Sequence, residues 1–284
     1  MIDKKENLPD KTSFSPKDHF TLDELLALMA FLRSDQGCPW DKEQTHQSLR
    51  QNMLEEAYEV IDAINSQNSD RLCDELGDVL MQVIFHSQIA SESGTFTFED
   101  VITAICNKLI SRHTHLFGED HAETSEAVID RWEKNKRLEK GHENQTQVLE
   151  DVPRILPALL RSFKVQQKAA RAGFDWPSEN GPKEKILEEL SEIEAAQKAG
   201  SDDLKLSGLE QEVGDLLFAV VNYARHLGIQ PELALHQATD KFIHRFAAVE
   251  TLAQSQGQET ASMTEEELDA LWELVKESDA NETR

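Results

Sequence analysis

The chain has 284 residues, of which 29% are charged and 6% aromatic, and its formal net charge of -25 argues against nucleic-acid binding because such a surface repels a phosphate backbone. Three widely spaced cysteines without a C-x-x-C pair indicate a reduced chain rather than a zinc site or a disulfide framework. The polar start MIDKKENLPDKTSFSPKD and the lack of a long apolar run argue against a signal peptide and a membrane span, so we expect a cytoplasmic protein.

Helical periodicity extends along the whole chain. A broad stripe of leucines predicts a first helix over 21–33, with Thr21 as its N-cap and Glu24 three residues later. Strand-like alternation is absent, so we predict an all-α protein built from antiparallel helices in bundle-like units. In chain order, the other predicted helices span 48–66, 71–92, 98–111, 124–138, 153–171, 182–199, 205–227, 231–254 and 264–277.

Two acidic motifs on neighbouring helices occur twice, which indicates an internal duplication. The offset between the copies is 133 residues for E-E-x-x-E and 137 for E-x-x-D, and the markers K-x-x-x-R and W-E-x-x-K recur in the same order. The repeated carboxylates are Glu56, Glu59, Glu75 and Asp78 in the first copy, and Glu189, Glu192, Glu212 and Asp215 in the second.

The duplication predicts four segments. These are a disordered N-terminal extension over 1–17, a first unit over 18–137, a linker over 138–149 and a second unit over 150–284.

The spacing of the carboxylates favours a metal site. Residues three or four apart share a helix face, and a short turn between antiparallel helices brings the two pairs together. Four such charges repel one another unless a cation is present, and oxygen ligands suit Mg²⁺ or Mn²⁺ rather than zinc. The acidic blocks have no Glu-x-x-His pair, which argues against a di-iron centre. The alternative interpretation, a solvated helix face, is weakened by the recurrence.

A glycine lies inside each E-x-x-D motif, at Gly77 and Gly214. Glycine within a helix costs about 1 kcal/mol relative to alanine. We therefore expect another helix or a ligand to approach closely at both positions.

Basic and aromatic residues supply further candidates. In so acidic a chain, the repeated K-x-x-x-R of Lys108–Arg112 and Lys241–Arg245 suits the binding of phosphate oxygens, although an ordinary charged helix face fits it too. Trp132 and Trp272, in late helices, either stack on a base or cover the core.

Together these motifs resemble the MazG family of nucleoside triphosphate pyrophosphohydrolases. The resemblance spans about 20–278 and rests on the doubled acidic motifs together with GCPWDKEQT, RWE and GFDW. It implies two tandem MazG-like helical units, Mg²⁺ dependence and a homodimer. It also implies hydrolysis of NTPs and dNTPs to the monophosphate and pyrophosphate, as in nucleotide pool cleaning.

The resemblance also assigns roles to residues. In the second unit it implies Glu189, Glu192, Glu212 and Asp215 as metal ligands, Lys185, Lys241 and Arg245 as triphosphate-binding groups, and Trp272 near the nucleotide; the first unit offers Glu56, Glu59, Glu75 and Asp78 as ligands.

Asn52 stands where the offset places the counterpart of Lys185, so we expect the second unit to be the main catalytic unit. Glu188, the remaining carboxylate, is the expected acceptor of a proton from the attacking water, and Glu188 and Glu189 are the predicted catalytic residues.

Two alternatives stay open. One is a pyrophosphohydrolase selective for dUTP or for a modified nucleotide, which substrate breadth distinguishes from a broad enzyme. The other is a non-catalytic helical dimerisation module, which shows little specific response to Mg²⁺.

Overall fold

A computed structural model describes residues 14–118, 123–198 and 202–282, without the side chains of 202–206 and 280–282. In these ranges the chain forms helices and no strand, which confirms the all-α class. Within them, no helix combines the length and the apolar character that crossing a bilayer requires. Residues 1–13 of the predicted N-terminal extension lie outside the described residues.

The chain divides into two compact units, an N-terminal unit over Met1–Lys136 and a C-terminal unit over Arg137–Arg284. In the N-terminal unit, Thr21 caps the first helix through a capping box with Glu24, as its sequence predicts. The helices that begin in this unit are α1 (Leu22–Leu32), α2 (Pro39–Glu43), α3 (Arg50–Asn65), α4 (Ser69–Glu92), α5 (Phe98–Arg112), α6 (Thr114–Phe117) and α7 (Ser125–Glu139).

The core of the N-terminal unit lies where α1, the start of α3 and α4 meet. Its buried members are Met29, Leu49, Ile84 and Phe85. Helices α3 and α4 are joined by the turn at 66–68 and pack against each other, and they carry the first set of acidic motifs.

In the C-terminal unit, α10 and α11 form the corresponding pair, α9 packs on α11 and α12, and α13 packs on α12. A cluster of Val249, Ala253, Leu271 and Val275 joins α12 to α13. The helices are α8 (Gln145–Glu150), α9 (Ala158–Arg171), α10 (Asn180–Lys198), α11 (Asp202–His226), α12 (Pro231–Ser255) and α13 (Glu265–Glu282), with one 3₁₀ turn over Thr260–Ser262.

Some helix boundaries differ from the predicted ones. The helix predicted over 153–171 begins at Ala158, because Pro157 forms its N-cap and the residue before a proline is disfavoured in the helical conformation. The range 138–149, predicted as a linker, contains the end of α7 and most of α8. Helices α2, α6 and α8 are too short for a periodic apolar pattern, so the sequence did not predict them.

Candidate functional site

Three of the predicted ligands of the C-terminal unit come together between α10 and α11. One carboxylate oxygen each from Glu189, Glu212 and Asp215 lies within 4.8 Å of the other two. Glu189 is only 3% exposed, and its Oε2 atom is buried without a hydrogen-bond partner. A buried carboxylate oxygen beside two further carboxylates is a donor set that fits a divalent cation such as Mg²⁺.

Glu192 lies one turn beyond Glu189 on α10 and is not among these three residues. Loss of hydration raises the pKa of the Glu192 carboxyl, and a hydrogen bond and repulsion from Glu189 raise it further. The cluster therefore holds more negative charge than it can easily accommodate, a situation that a bound cation relieves.

Lys185 lies one turn before Glu189 and places a positive charge against the cluster. Its Nζ atom is 2.6 Å from Glu189 Oε1 and 3.0 Å from Glu188 Oε1. These hydrogen bonds raise the pKa of the Lys185 ammonium group, which stays charged at neutral pH. Glu188 is otherwise exposed, with more than half of its side chain open to solvent.

The N-terminal unit repeats the cluster. One carboxylate oxygen each from Glu56 on α3 and from Glu75 and Asp78 on α4 lies within 4.8 Å of the other two. Loss of hydration and repulsion from Asp78 raise the pKa of Glu56, and repulsion from Glu75 raises the pKa of the exposed Glu59.

A different cation accompanies this second cluster. Arg71 lies one turn before Glu75 on α4, with Nε 3.3 Å from Glu75 Oε1 and Nη1 2.6 Å from Asp62 Oδ2. Sequence reasoning missed this residue, although an arginine four residues before a glutamate on a helix is a recognisable signal. With the offset of 137, the counterpart of Arg71 in the second copy is Gly208. The basic residue next to the cluster therefore lies on the second helix, α4, in the N-terminal unit and on the first helix, α10, in the C-terminal unit.

A cavity of about 770 Å³ opens beside the cluster of the C-terminal unit. Lys185, Glu189 and Asp215 line one part of it, and residues of α8, α9, α11 and the loop over 173–176 line the rest. Its walls are mostly apolar, and its volume lies in the range of about 300–1,000 Å³ that is usual for small-molecule sites. The apolar lining includes Val165, Ala169, Phe174, Trp176, Phe218 and Ala219.

Close packing against α10 fixes the position of Trp176. A Cβ atom on Gly181 would lie 2.2 Å from Trp176 Cδ1, so only glycine leaves room for the indole there. Asp175 accepts hydrogen bonds from Arg225 and from His226 Nε2, the latter at 3.0 Å, which attach the loop to α11. Sequence reasoning used the GFDW stretch as a family marker and did not predict Trp176 as a site residue.

The remaining predicted substrate-binding residues do not line the cavity. Arg245 Nε donates to Asp279 Oδ2 at 2.7 Å, and Lys241 is exposed on α12. Trp272 packs against Phe242, with 5.3 Å between ring centroids.

The two glycines within the E-x-x-D motifs lie beside open space. A Cβ atom on Gly77 or Gly214 would meet nothing within 4 Å. Within the described part of the chain no other helix approaches closely at either glycine, so that half of the expectation is wrong, while the approach of a ligand stays a prediction.

The cavity-lining positions differ between the units. The offset of 137 pairs Ala219 with Gln82 and Asn222 with Phe85. Gln82 and Phe85 are 2% and 3% exposed, and Phe85 belongs to the core of the N-terminal unit. These two cavity-lining positions of the C-terminal unit thus carry larger side chains in the N-terminal unit.

Comparison with known proteins places these features in a family. Residues 44–117 and 180–250 each match the MazG nucleotide pyrophosphohydrolase domain, which confirms the tandem repeat. The nucleoside triphosphate pyrophosphohydrolase of Escherichia coli (strain K12) is 45% identical over 257 residues, which cover 90% of this chain and 97% of that protein.

Two further relatives extend the comparison. The nucleoside triphosphate pyrophosphohydrolase/pyrophosphatase MazG of Thermotoga maritima is 43% identical over 257 residues, which cover 90% of this chain and 96% of that protein. Protein YabN of Bacillus subtilis is 43% identical over 248 residues, which cover 87% of this chain and 50% of that protein. The chain therefore belongs to the MazG family, as its motifs predict, and carries the family's domain twice.

Proposed function

We propose that this chain is a nucleoside triphosphate pyrophosphohydrolase that converts NTPs and dNTPs to the monophosphate and pyrophosphate, with the C-terminal unit as its main catalytic unit. The observation that carries the proposal is the Glu189 Oε2 atom, which is buried and has no hydrogen-bond partner. It belongs to a cluster of three carboxylates beside a cavity large enough for a small-molecule ligand. The names of the Escherichia coli and Thermotoga maritima relatives support the same activity.

The cofactor in this proposal is Mg²⁺, with Mn²⁺ as a substitute. When bound, Mg²⁺ supplies positive charge to phosphate oxygens and makes water more acidic. The carboxylate donors suit these ions. Loss of hydration, a hydrogen bond from Glu189 and repulsion by Glu189 raise the pKa of Glu192, and a bound cation would favour its charged form. The proposed ligands are Glu189, Glu192, Glu212 and Asp215, with Glu56, Glu59, Glu75 and Asp78 as the corresponding set in the N-terminal unit.

Lys185 and Glu188 act directly on the reacting groups in this proposal. The Lys185 ammonium exchanges a carboxylate for a triphosphate oxygen and keeps its charge at the cavity edge. Glu188, released from Lys185, accepts at a carboxylate oxygen the proton of the water that attacks the α-phosphorus. The short distances from Lys185 Nζ to both carboxylates support this pairing of roles.

The nucleoside part of the substrate occupies the apolar cavity in this proposal. Phe174 and Trp176 offer faces on which any base stacks, which favours broad substrate use over selectivity for dUTP. Lys241 and Arg245 are further proposed phosphate-binding groups, supported by their repeated spacing, and Trp272 is proposed to lie near the nucleotide. Arg245 must exchange Asp279 for phosphate to take this role.

The proposed assembly is a homodimer. Large apolar side chains on three helices of the C-terminal unit face solvent in the single chain, and a second copy would cover them. These side chains are Leu187 and Leu190 on α10, Val213, Leu217 and Val220 on α11, and Phe242, Ile243 and Phe246 on α12. A cytoplasmic location is also proposed, since Cys38, Cys73 and Cys106 are all free and the substrates are nucleotides.

The experiment that tests the function is product analysis by ion-exchange chromatography, with Mg²⁺ and each common NTP and dNTP in turn. We expect monophosphate and pyrophosphate from most of them. Diphosphate with orthophosphate would contradict attack at the α-phosphorus. Turnover of a single nucleotide would favour the selective enzyme, and no turnover by folded, Mg²⁺-supplied protein would favour the dimerisation module.

A further inference from the structure

Gln166 on α9 lines the cavity, and only one end of its side-chain amide has a hydrogen-bond partner. The residue is 6% exposed, and its Nε2 atom donates to the backbone carbonyl of Phe218 at 2.8 Å. This bond fixes the orientation of the amide, because only the nitrogen can donate. The Oε1 atom is buried and has no hydrogen-bond partner.

Two side-chain oxygens near Gln166 in the cavity wall have hydrogen-bond donors. Asn222 Oδ1 accepts from Arg225 Nε at 2.9 Å, and Asp175 accepts from Arg225 and His226. A buried acceptor without a donor is costly and uncommon in folded proteins. Gln166 Oε1 is therefore an acceptor without a donor in a residue that lines the cavity.

The location of Gln166 suits the base of a nucleotide. Asp215, Phe218 and Asn222 follow one another along α11, and a rise of about 1.5 Å per residue places Phe218 about 4–5 Å and Asn222 about 10 Å beyond Asp215. If the phosphates lie at the carboxylates, the nucleoside extends along this face towards Gln166. We propose that Gln166 Oε1 accepts a hydrogen bond from an N–H group of the base, an inference that rests on the proposed function.

This role fits broad use of the common bases. Adenine and cytosine offer an exocyclic amine, guanine an amine and a ring N–H, and uracil and thymine a ring N–H. A single acceptor holds each of them without choosing among them. It disfavours a base that has no N–H group, and unsubstituted purine is such a base with nearly the shape of adenine.

The test is a competition between ATP and purine riboside triphosphate for the wild-type chain with Mg²⁺. Both substrates are present in the same reaction mixture, so the ratio of their kcat/KM values does not depend on the amount of active protein. We expect ATP to be preferred by about 2- to 10-fold, the range that one net hydrogen bond supplies. Equal consumption of the two substrates would overturn the inference while leaving the proposed function intact, whereas no consumption of either would defeat both.

Substitution then assigns the preference to a residue. Gln166→Met keeps the length of the side chain and removes the acceptor, so we expect the ratio to fall to about 1. Gln167→Met makes the same change one position along α9, at a residue outside the cavity lining, and should keep the wild-type ratio. A Gln166→Met protein that still prefers ATP as strongly as wild type would overturn the inference. If this variant does not fold, the wild-type competition still decides the first step.

Discussion

At the scale of single residues, the two acidic clusters differ in how the protein itself balances their charge. In the C-terminal unit the ammonium of Lys185 contacts the buried Glu189, whereas in the N-terminal unit the guanidinium of Arg71 contacts Glu75. Arginine keeps its charge and its planar geometry, while lysine is a mobile point charge that can turn to a new partner. The C-terminal copy is therefore the better suited to exchanging a carboxylate for a phosphate.

Removing the charge of one C-terminal carboxylate should abolish turnover and leave the fold in place. For Glu189→Gln and for Asp215→Asn we expect kcat with ATP to fall by more than about 100-fold. Mutation of residues that only hydrogen-bond to a metal ligand already lowers metal affinity or activity by about 10- to 100-fold. Steady-state kinetics and far-UV circular dichroism check the two parts of this prediction. Wild-type-like activity in either variant would contradict the assignment.

Glu56 is the repeat counterpart of Glu189 and provides a matched comparison. Because the larger Gln82 and Phe85 occupy two of the positions that line the cavity in the other copy, we expect Glu56→Gln to keep most of the activity. The same kinetic assay with ATP measures it. Complete loss of turnover in Glu56→Gln would show that the N-terminal unit takes part in catalysis.

A feature of single residues can be predicted only if it produces a recognisable pattern in the sequence. Glu189, Glu212 and Asp215 were proposed as neighbours because their spacing places them on facing helix surfaces, and they do lie together. Gln166 gives no such signal, since an amide in an amphipathic helix looks the same whether or not its oxygen has a partner. Its environment depends on α11, whose contact with α9 is a tertiary feature.

At the scale of helices, long amphipathic segments were predictable and short ones were not. The sequence located α4, α5 and α12 to within two residues at each end, because apolar residues recur over several turns. Helix α2 has five residues and α6 has four, so neither spans the several turns over which a repeating apolar pattern can be recognised. Helix α10 begins at Asn180, two residues before its predicted start, and the indole of Trp176 lies against its first turn.

That contact predicts opposite effects for two glycine substitutions in the α10–α11 pair. Gly181→Ala should lower the free energy of unfolding by about 1–3 kcal/mol, because its Cβ atom has no room beside Trp176. Gly208→Ala adds the same methyl group to α11 where nothing lies within 4 Å, and should raise stability by up to about 1 kcal/mol. Urea unfolding measures both, and equal effects of the same sign would contradict the packing described at Trp176.

At the scale of the whole molecule, a net charge of -25 and two carboxylate clusters make stability depend on cations and protons. The pKa values of Glu56, Glu59 and Glu192 lie above the ordinary glutamate value of about 4.5. A carboxyl with a raised folded-state pKa contributes stability that is present below the unfolded value and is lost as pH rises through the folded value. At neutral pH these groups therefore oppose folding unless a cation is bound.

We accordingly expect Mg²⁺ to raise the thermal midpoint at pH 7.5 and to raise it less at pH 5, where protons compete for the same oxygens. At about 100 times its Kd, a bound ion adds about 2.7 kcal/mol to the free energy of unfolding. Differential scanning calorimetry with MgCl₂ measures this gain. NaCl at equal ionic strength is the control, and an equal gain with NaCl would mean that general screening explains the effect.

The positions of the cysteines allow a fluorescent label to be placed on the N-terminal unit alone. All three cysteines belong to the N-terminal unit, and Cys73 faces solvent only two residues before Glu75. After Cys38→Ser and Cys106→Ser, a maleimide dye on Cys73 would report on cation loading next to the N-terminal cluster, while the C-terminal unit stays unlabelled. Fluorescence titration and turnover, followed in one sample, would then show whether the two halves of this chain fill together or in sequence.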